Sequence, residues 1–414
     1  MVDRITIRMY EVGFGDCFLL RFWTGDAATR VLVDCGSITQ GQAQVDKVVQ
    51  DVIAACRDAD GVSRLELVVA THRHKDHVGG FANPAWSTVE VGEVWMPWTE
   101  DPDDDRATYI RNRQSSLALA LCGGETAEEP LAAAPPRRET AANAALRAQR
   151  AMAVSALTNE KAMATLHGGF ATHAKPSFLP RPDVACEARA IAGVEGVRIH
   201  VLGPPRDEKA LAIMDPPTGA GYLASPGAGS GAPAAAFGPH WRIGKDAYFA
   251  DNPATTFSPA DLKAVDETAE QPTAELAAAL DNAVNNTSLI LMFEAAGHWL
   301  LFPADAQWGT WSAALKDPAA RALLARTTFY KVGHHGSHNA TPRDLIETLI
   351  PPEFTAMFST CSVAQWPDIP RAPLVEAIAA KAARYARSDQ DAAAAQAGFT
   401  VDPGLFVEYQ VAAL

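Results

Sequence analysis

The sequence predicts a layered α/β fold, and three observations carry that prediction. Short apolar strands alternate with a helical segment from Arg4 to Trp95, and a second block of strands and helices runs from Ser288 to Leu414. Hydrophobic residues make up 48% of the 414 positions, enough to supply a sizeable core. A chain this long exceeds what one core usually serves. The expected organisation is one large domain, 1–414, carrying two insertions.

The elements follow in order. Met1 to Arg8 alternates like a strand and leads straight into the fold, with no signal-peptide pattern. A strand over Val31–Asp34, a helical segment near Gln44 to Ala59 and a strand over Leu65–Ala70 come next. The run Asp101-Pro102-Asp103-Asp104-Asp105 then marks a break. It opens a first insertion, about 101–190, which is Ala-rich and helical by propensity, as over Ala141 to Ala164. A strand returns at Val197–Leu202 and stops at Gly203-Pro204-Pro205. The second insertion, about 206–285, is Pro/Gly-rich and reads as a long loop or lid. Strands are then expected at Leu289–Phe293, Trp299–Phe302, Thr328–Val332 and Thr355–Phe358. Helices are expected after Asp305, after Pro342 and from Ala372 to Ala386.

Composition narrows the function classes. The longest apolar stretches fall far short of the roughly 20 residues a membrane-spanning helix needs, so no membrane association is expected. Six scattered cysteines without a Cys-x-x-Cys pair read as buried, reduced thiols of a cytoplasmic protein. A formal charge of −14 argues against holding nucleic acid on a basic surface. It leaves a nuclease open, because two bound dications would bring about four positive charges to the place a phosphate must occupy.

The chemistry is concentrated in Thr71-His72-Arg73-His74-Lys75-Asp76-His77-Val78-Gly79-Gly80. Three of the chain's eleven histidines and a carboxylate fall within six residues, directly after a buried strand that fixes the backbone. That density reads as a binuclear metal site with His72, His74, Asp76 and His77 as ligands. Imidazole and carboxylate suit zinc, manganese or iron, and no cysteine falls in this stretch to favour a closed structural zinc site.

The His-x-His-x-Asp-His-x-Gly-Gly string resembles the signature of the metallo-β-lactamase superfamily. Val12-Gly13-Phe14-Gly15-Asp16-Cys17, Val31–Gly36, Asn286-Thr287-Ser288, Leu300–Ala306 and Lys331-Val332-Gly333-His334-His335-Gly336-Ser337 follow in an order similar to one branch of it. That branch is the nuclease-like domain of the DNA-uptake protein ComEC and its stand-alone bacterial relatives. The resemblance implies a four-layer αββα sandwich with its metal loops at one edge of two sheets. It implies that His72 and His74 bind one divalent ion, that Asp76 and His77 bind a second, and that Asp305 bridges them. His335, or alternatively His334, supplies a further ligand. The additional mid-chain histidine usual in complete sites has no convincing counterpart among His167, His173 and His200.

Other residues carry supporting expectations. Asp34 ends an apolar strand and resembles an aspartate that orients the metal loop, and Asp16 in its Gly-flanked turn is a candidate for the same task. Lys331, Ser337, Asn339, His334 and Asn286 are expected to support the ligands or bind substrate. Asp76 and His338 are expected to take part in catalysis, His338 by protonating a leaving oxygen. The leading functional expectation is hydrolysis of a phosphodiester in DNA or RNA by a metal-bridged hydroxide. One alternative is a hydrolase of a small-molecule ester, lactone, thioester or amide. Another is an effector of a bacterial defence system, controlled by a protein partner or activator.

Overall fold

The structure is a computed structural model that describes residues 1–121, 159–184, 186–222, 283–363, 368–390 and 398–411. Residues 141–158 of the helical stretch expected over Ala141 to Ala164, most of the second insertion and Cys122 lie outside the described residues, while Glu160–Ala164 is helical.

Two mixed sheets and their helices form the architecture. The first sheet contains β1 (Arg4–Tyr10), β2 (Cys17–Thr24), β3 (Ala27–Cys35), β4 (Arg64–Val69), β5 (Glu90–Pro97) and β6 (Pro176–Leu179), completed by β14 (Phe399–Asp402) and β15 (Phe406–Val411). Its order is β14-β15-β1-β2-β3-β4-β5-β6. The second contains β7 (Glu187–Ala190), β8 (Val197–Gly203), β9 (Ile290–Ala295), β10 (His298–Phe302), β11 (Phe329–Lys331), β12 (Thr355–Phe358) and β13 (Arg384–Arg387), in the order β13-β12-β11-β10-β9-β8-β7. Each sheet is antiparallel on one side and parallel on the other. Strands β3 to β6 run parallel, as do β10 to β13.

Parallel strands are covered on both faces, so they read as continuous apolar runs. In β3, Val31 and Val33 join a cluster that also contains Leu291, Phe293 and Phe302 of the second sheet. The intervening Leu32 joins a different cluster on the opposite face. The shared cluster includes Phe18 against Phe302, ring centroids 5.6 Å apart and edge to face. The other face of the first sheet packs on the helix Gln42–Ala55, which buries Val45, Val48, Val49, Val52 and Ile53. Their spacing places them on one stripe. Valine is a weak helix former and Gly41 offers no side-chain cap, so packing holds this helix: each fully buried Val or Ile contributes about 1.5–3 kcal/mol. A third cluster joins the second sheet to the helices Trp308–Lys316 and Ala372–Lys381 through Trp311, Leu374 and Ile378.

Several boundaries differ from expectation. The helix beginning at Ala372 ends at Lys381, and Arg384–Arg387 is β13, paired in parallel with β12. Ala386 there enters the inter-sheet cluster, so tertiary pairing overrides a favourable helical composition. The segment after Pro342 forms a single turn, Leu345–Leu349. Strands β6 and β7 lie inside the span expected to be the first insertion, so the chain is back in the sheets by Pro176. Among the described residues, no helix is long and apolar enough to cross a membrane.

Candidate metal centre

Strand direction gathers the polar loops at one edge. Asp34 lies near the C-terminal end of β3, His72 to His77 follow β4, Asp305 follows β10, His334 and His335 follow β11, and Ser359 follows β12. Sites in open α/β sheets form outside the carboxyl ends of parallel strands, and both sheets contribute theirs here. Because β9 runs antiparallel to β10, its lead-in, Asn285 to Leu289, returns to the same edge. The amide of Leu289 donates to the Thr71 carbonyl at 3.0 Å, joining the lead-in to the metal loop.

The backbone is packed tightly around this loop. The Asp16 amide donates to the Asp76 carbonyl at 2.9 Å, and the Gly36 amide to the Asp16 carbonyl at 3.0 Å. A Cβ on Gly36 would lie 2.4 Å from the Lys75 carbonyl oxygen and 2.5 Å from the Asp76 carbonyl carbon, so only glycine fits. Four non-glycine residues of the site adopt positive φ: Asp34 (58°), Ala304 (51°), His334 (42°) and His335 (52°). Each such residue costs about 1–2 kcal/mol, and the surrounding hydrogen bonds hold it in place.

Hydrogen bonding sets the imidazole tautomers. Asp34 accepts from the Thr71 amide (2.8 Å) through Oδ1, and from the Thr71 hydroxyl (2.6 Å) and His77 Nδ1 (2.7 Å) through Oδ2. The Thr71 hydroxyl gives its proton to Asp34, so it accepts from His72 Nδ1 at 3.2 Å. His335 Nδ1 donates to the Ser359 carbonyl at 2.8 Å. Ser337 donates to Asn339 Oδ1 at 2.9 Å and therefore accepts from His334 Nδ1 at 3.0 Å. Each anchored Nδ1–H turns the Nε2 of its ring inward, as in carboxylate–histidine–metal arrangements.

Three of these four nitrogens, those of His77, His334 and His335, converge on one carboxylate oxygen. Asp305 Oδ2 lies 3.0 Å from His77 Nε2, 3.7 Å from His334 Nε2 and 3.8 Å from His335 Nε2. Asp76 Oδ2 lies 3.4 Å from His335 Nε2 and 3.9 Å from His77 Nε2. Four donors at about 2.1 Å around a tetrahedral ion are about 3.4 Å apart, so Asp76, His77, Asp305 and His335 have the spacing of a ligand shell. All four are buried, and His77 Nε2 and Asp305 Oδ1 have no hydrogen bond. Beside them, His72 Nε2 is 3.2 Å from His74 Nδ1, and the His72 and His77 rings are 4.1 Å apart. The donor set fits a divalent ion. Buried histidine and aspartate groups here could hold a metal ion.

Charge in the metal-free chain is balanced by protons and one lysine. Burial opposes a charge on His77, but Asp305, Asp34, Asp76 and Asp16 outweigh it and hold the ring well above its ordinary pKa. His335 is likewise raised, burial being overcome by Asp305 and Asp76. Burial, with His77 and His74, pushes His72 well below its ordinary value, and burial pushes His334 down to about 4. Against burial, His77 and its neighbouring imidazoles hold Asp76 and Asp305 below the usual carboxylate range. Burial raises Asp34 despite its bond to His77. Lys331 is 1% exposed, ion-paired with Asp16 and 3.8 Å from Asp305 Oδ1.

The remaining candidates are distributed unevenly. Ser337 and Asn339 act on His334, as described. Asn286 turns away: its Nδ2 donates to the carbonyls of Leu211 (2.8 Å) and Ile213 (3.0 Å), and its Oδ1 accepts from the Thr310 amide, so its groups are used to anchor the 210–213 turn. His338 is partly exposed, with Nε2 facing Asp215 Oδ1 at 3.4 Å, and it is not among the converging donors. His200 pairs with Glu294 at 2.8 Å on the second sheet, and His173 bonds the Gly168 carbonyl. Sequence reasoning missed Asn285, whose Oδ1 is 2.7 Å from His74 Nδ1, along with Thr71 and Ser359. Only the adjacent Asn-Thr-Ser string pointed near Asn285. No protein-family model and no curated protein matches this chain.

Proposed function

We propose that the chain is a metal-dependent hydrolase of phosphodiesters, with DNA or RNA as substrate and two divalent ions, zinc or manganese, as cofactors. The two sheets with helices on their outer faces are read as an αββα sandwich of the metallo-β-lactamase type. The observation that carries the reading is the convergence of Asp76, His77, Asp305 and His335 at ligand-shell spacings, beside the His72–His74 pair.

Two dications, if held by these residues, would supply a nucleophile at neutral pH and the positive charge that stabilises a phosphoryl transition state. The chain's own residues prepare the site. Asp34, the Thr71 hydroxyl and the Ser359 carbonyl hold the Nδ1 protons of His77, His72 and His335, so that Nε2 is the nitrogen each ring offers to an ion. Lys331, ion-paired with Asp16, places its charge 3.8 Å from Asp305 Oδ1, while Oδ2 lies nearest the imidazoles. Burial of the whole set excludes bulk water and strengthens each electrostatic contact.

The acidic charge of −14 favours a second reading, hydrolysis of a small ester, lactone, thioester or amide. A parallel panel on metal-loaded protein separates the two: plasmid, single-stranded DNA, RNA, bis-p-nitrophenyl phosphate, a lactone and a β-lactam. Cleavage of the phosphodiesters without lactone turnover is the expected result. Turnover of the lactone alone would transfer the assignment to the second reading.

A further inference from the structure

The donors Asp76, His77, Asp305 and His335 account for one ion. The His72–His74 pair on its own offers only two nitrogens, too few for a second. We propose that the side-chain amide oxygen of Asn285 is the third protein donor of that first ion site, with His72 Nε2 and His74 Nδ1. The inference rests on the reading that the centre binds metal, and it assigns the first site to an oxygen-tolerant dication such as manganese.

Three observations support it. Asn285 is 1% exposed and sits in the β9 lead-in, which is fastened to the metal loop by the Leu289 to Thr71 bond. Its Oδ1 is 2.7 Å from His74 Nδ1, which is 3.2 Å from His72 Nε2. Neighbouring ligands of a six-coordinate ion at about 2.1 Å are about 3.0 Å apart, and both separations from His74 Nδ1 are close to that. Third, the amide orientation is fixed from its other end. His334 gives its Nδ1 proton to Ser337, so its Nε2 is an acceptor, and Asn285 Nδ2 lies 3.4 Å from it. A flipped amide would set oxygen against that lone pair, so the oxygen faces His74.

His74 Nδ1 lies within hydrogen-bond distance of both His72 Nε2 and Asn285 Oδ1. An amide oxygen is a harder donor than imidazole, and carbonyl ligands favour manganese or magnesium over zinc. The two sites would therefore differ in preference, the Asn285 site toward manganese and the Asp76–His335 site toward zinc.

The test reloads chelated protein with Co(II) or Mn(II) and reads bound equivalents, Co(II) visible absorption and Mn(II) magnetic resonance. Wild type is expected to bind two equivalents. Asn285→Ala should weaken one of them more than about 100-fold, beyond the roughly 10 to 100-fold typical of a residue that only orients a ligand. Asn285→His should restore that equivalent, intensify the Co(II) band and shift its preference toward zinc. Asn285→Asp should tighten Mn(II). Circular dichroism of the three variants checks folding, and the His and Asp replacements keep the test decisive if the Ala variant is unstable.

Two equivalents in Asn285→Ala with unchanged affinity, or a Co(II) spectrum that Asn285→His leaves unaltered, overturns the assignment and leaves the metal centre intact. A single wild-type equivalent that disappears in Asp76→Ala has the same meaning. Wild type that binds no metal overturns the centre itself, and the proposal with it.

Discussion

Replacing Lys331 by Met tests whether the site is organised around a fixed internal cation. The ammonium is 1% exposed and ion-paired with Asp16, itself 2% exposed, and lies 3.8 Å from Asp305 Oδ1. At that distance, and an effective dielectric of about 20, the attraction to Asp305 alone is about 4 kcal/mol. Removing one partner of a buried pair costs about 3–5 kcal/mol, because the other charge is left without compensation. The aliphatic stem of lysine is already buried, so methionine recovers little by hydrophobic transfer. The expected result is a loss of about 3–5 kcal/mol in urea unfolding of the chelated protein, with an unchanged dependence on urea. Adding Asp16→Asn should recover much of the loss, since the pair is then removed as a unit while Asp305 keeps His77 at 3.0 Å. Asp16 and Asp305 raise the Lys331 pKa above its ordinary 10.5 against the effect of burial. Its stabilisation is therefore complete below pH 10.5 and is lost only as pH rises through the folded value. A loss under about 1 kcal/mol, the range of exposed pairs, would refute the argument.

Other outcomes follow from the same geometry. Gly36→Ala places a methyl 2.4 Å from the Lys75 carbonyl, so the metal loop must move and calorimetric metal affinity should fall at least tenfold; unchanged affinity would show that the loop tolerates displacement. Asp305→Ala and His77→Ala should remove the ion of the Asp76–His335 site and abolish hydrolysis yet leave a folded chain, because a core of this size does not depend on a metal, and near-normal turnover in either would exclude them as ligands. His77 and His335 carry raised pKa values, so their protons stabilise the metal-free chain fully below pH 6.5, and that contribution is lost as pH rises through the raised values. Metal affinity should climb over the same window with release of protons, measured by titration calorimetry in buffers of different ionisation enthalpy; affinity independent of pH would contradict it.

The sequence by itself determined the strands β4, β8, β9, β10 and β12 to within a residue or two and the density of ligand-type residues after β4. Both are local properties: a strand buried on two faces must be continuously apolar, and a polar loop directly after it stands out. Strands β6, β7 and β13 were not legible, because they are short edge segments whose composition says little and whose conformation is set by the neighbour they pair with. The partners of the metal loop were decided by tertiary structure. Asp305, His334 and His335 meet His77 only because β10 and β11 of the second sheet end at the same edge as β4 of the first. Asn285 and Asn286 are indistinguishable as neighbouring asparagines, yet the fold turns one toward His74 and the other toward the 210–213 turn. Lys331 at a strand end reads equally as exposed or buried, and only packing between Asp16 and Asp305 decides it. Side-chain chemistry is written in the residue, whereas its direction depends on the backbone path and on which distant carboxylate or imidazole that path brings within about 4 Å.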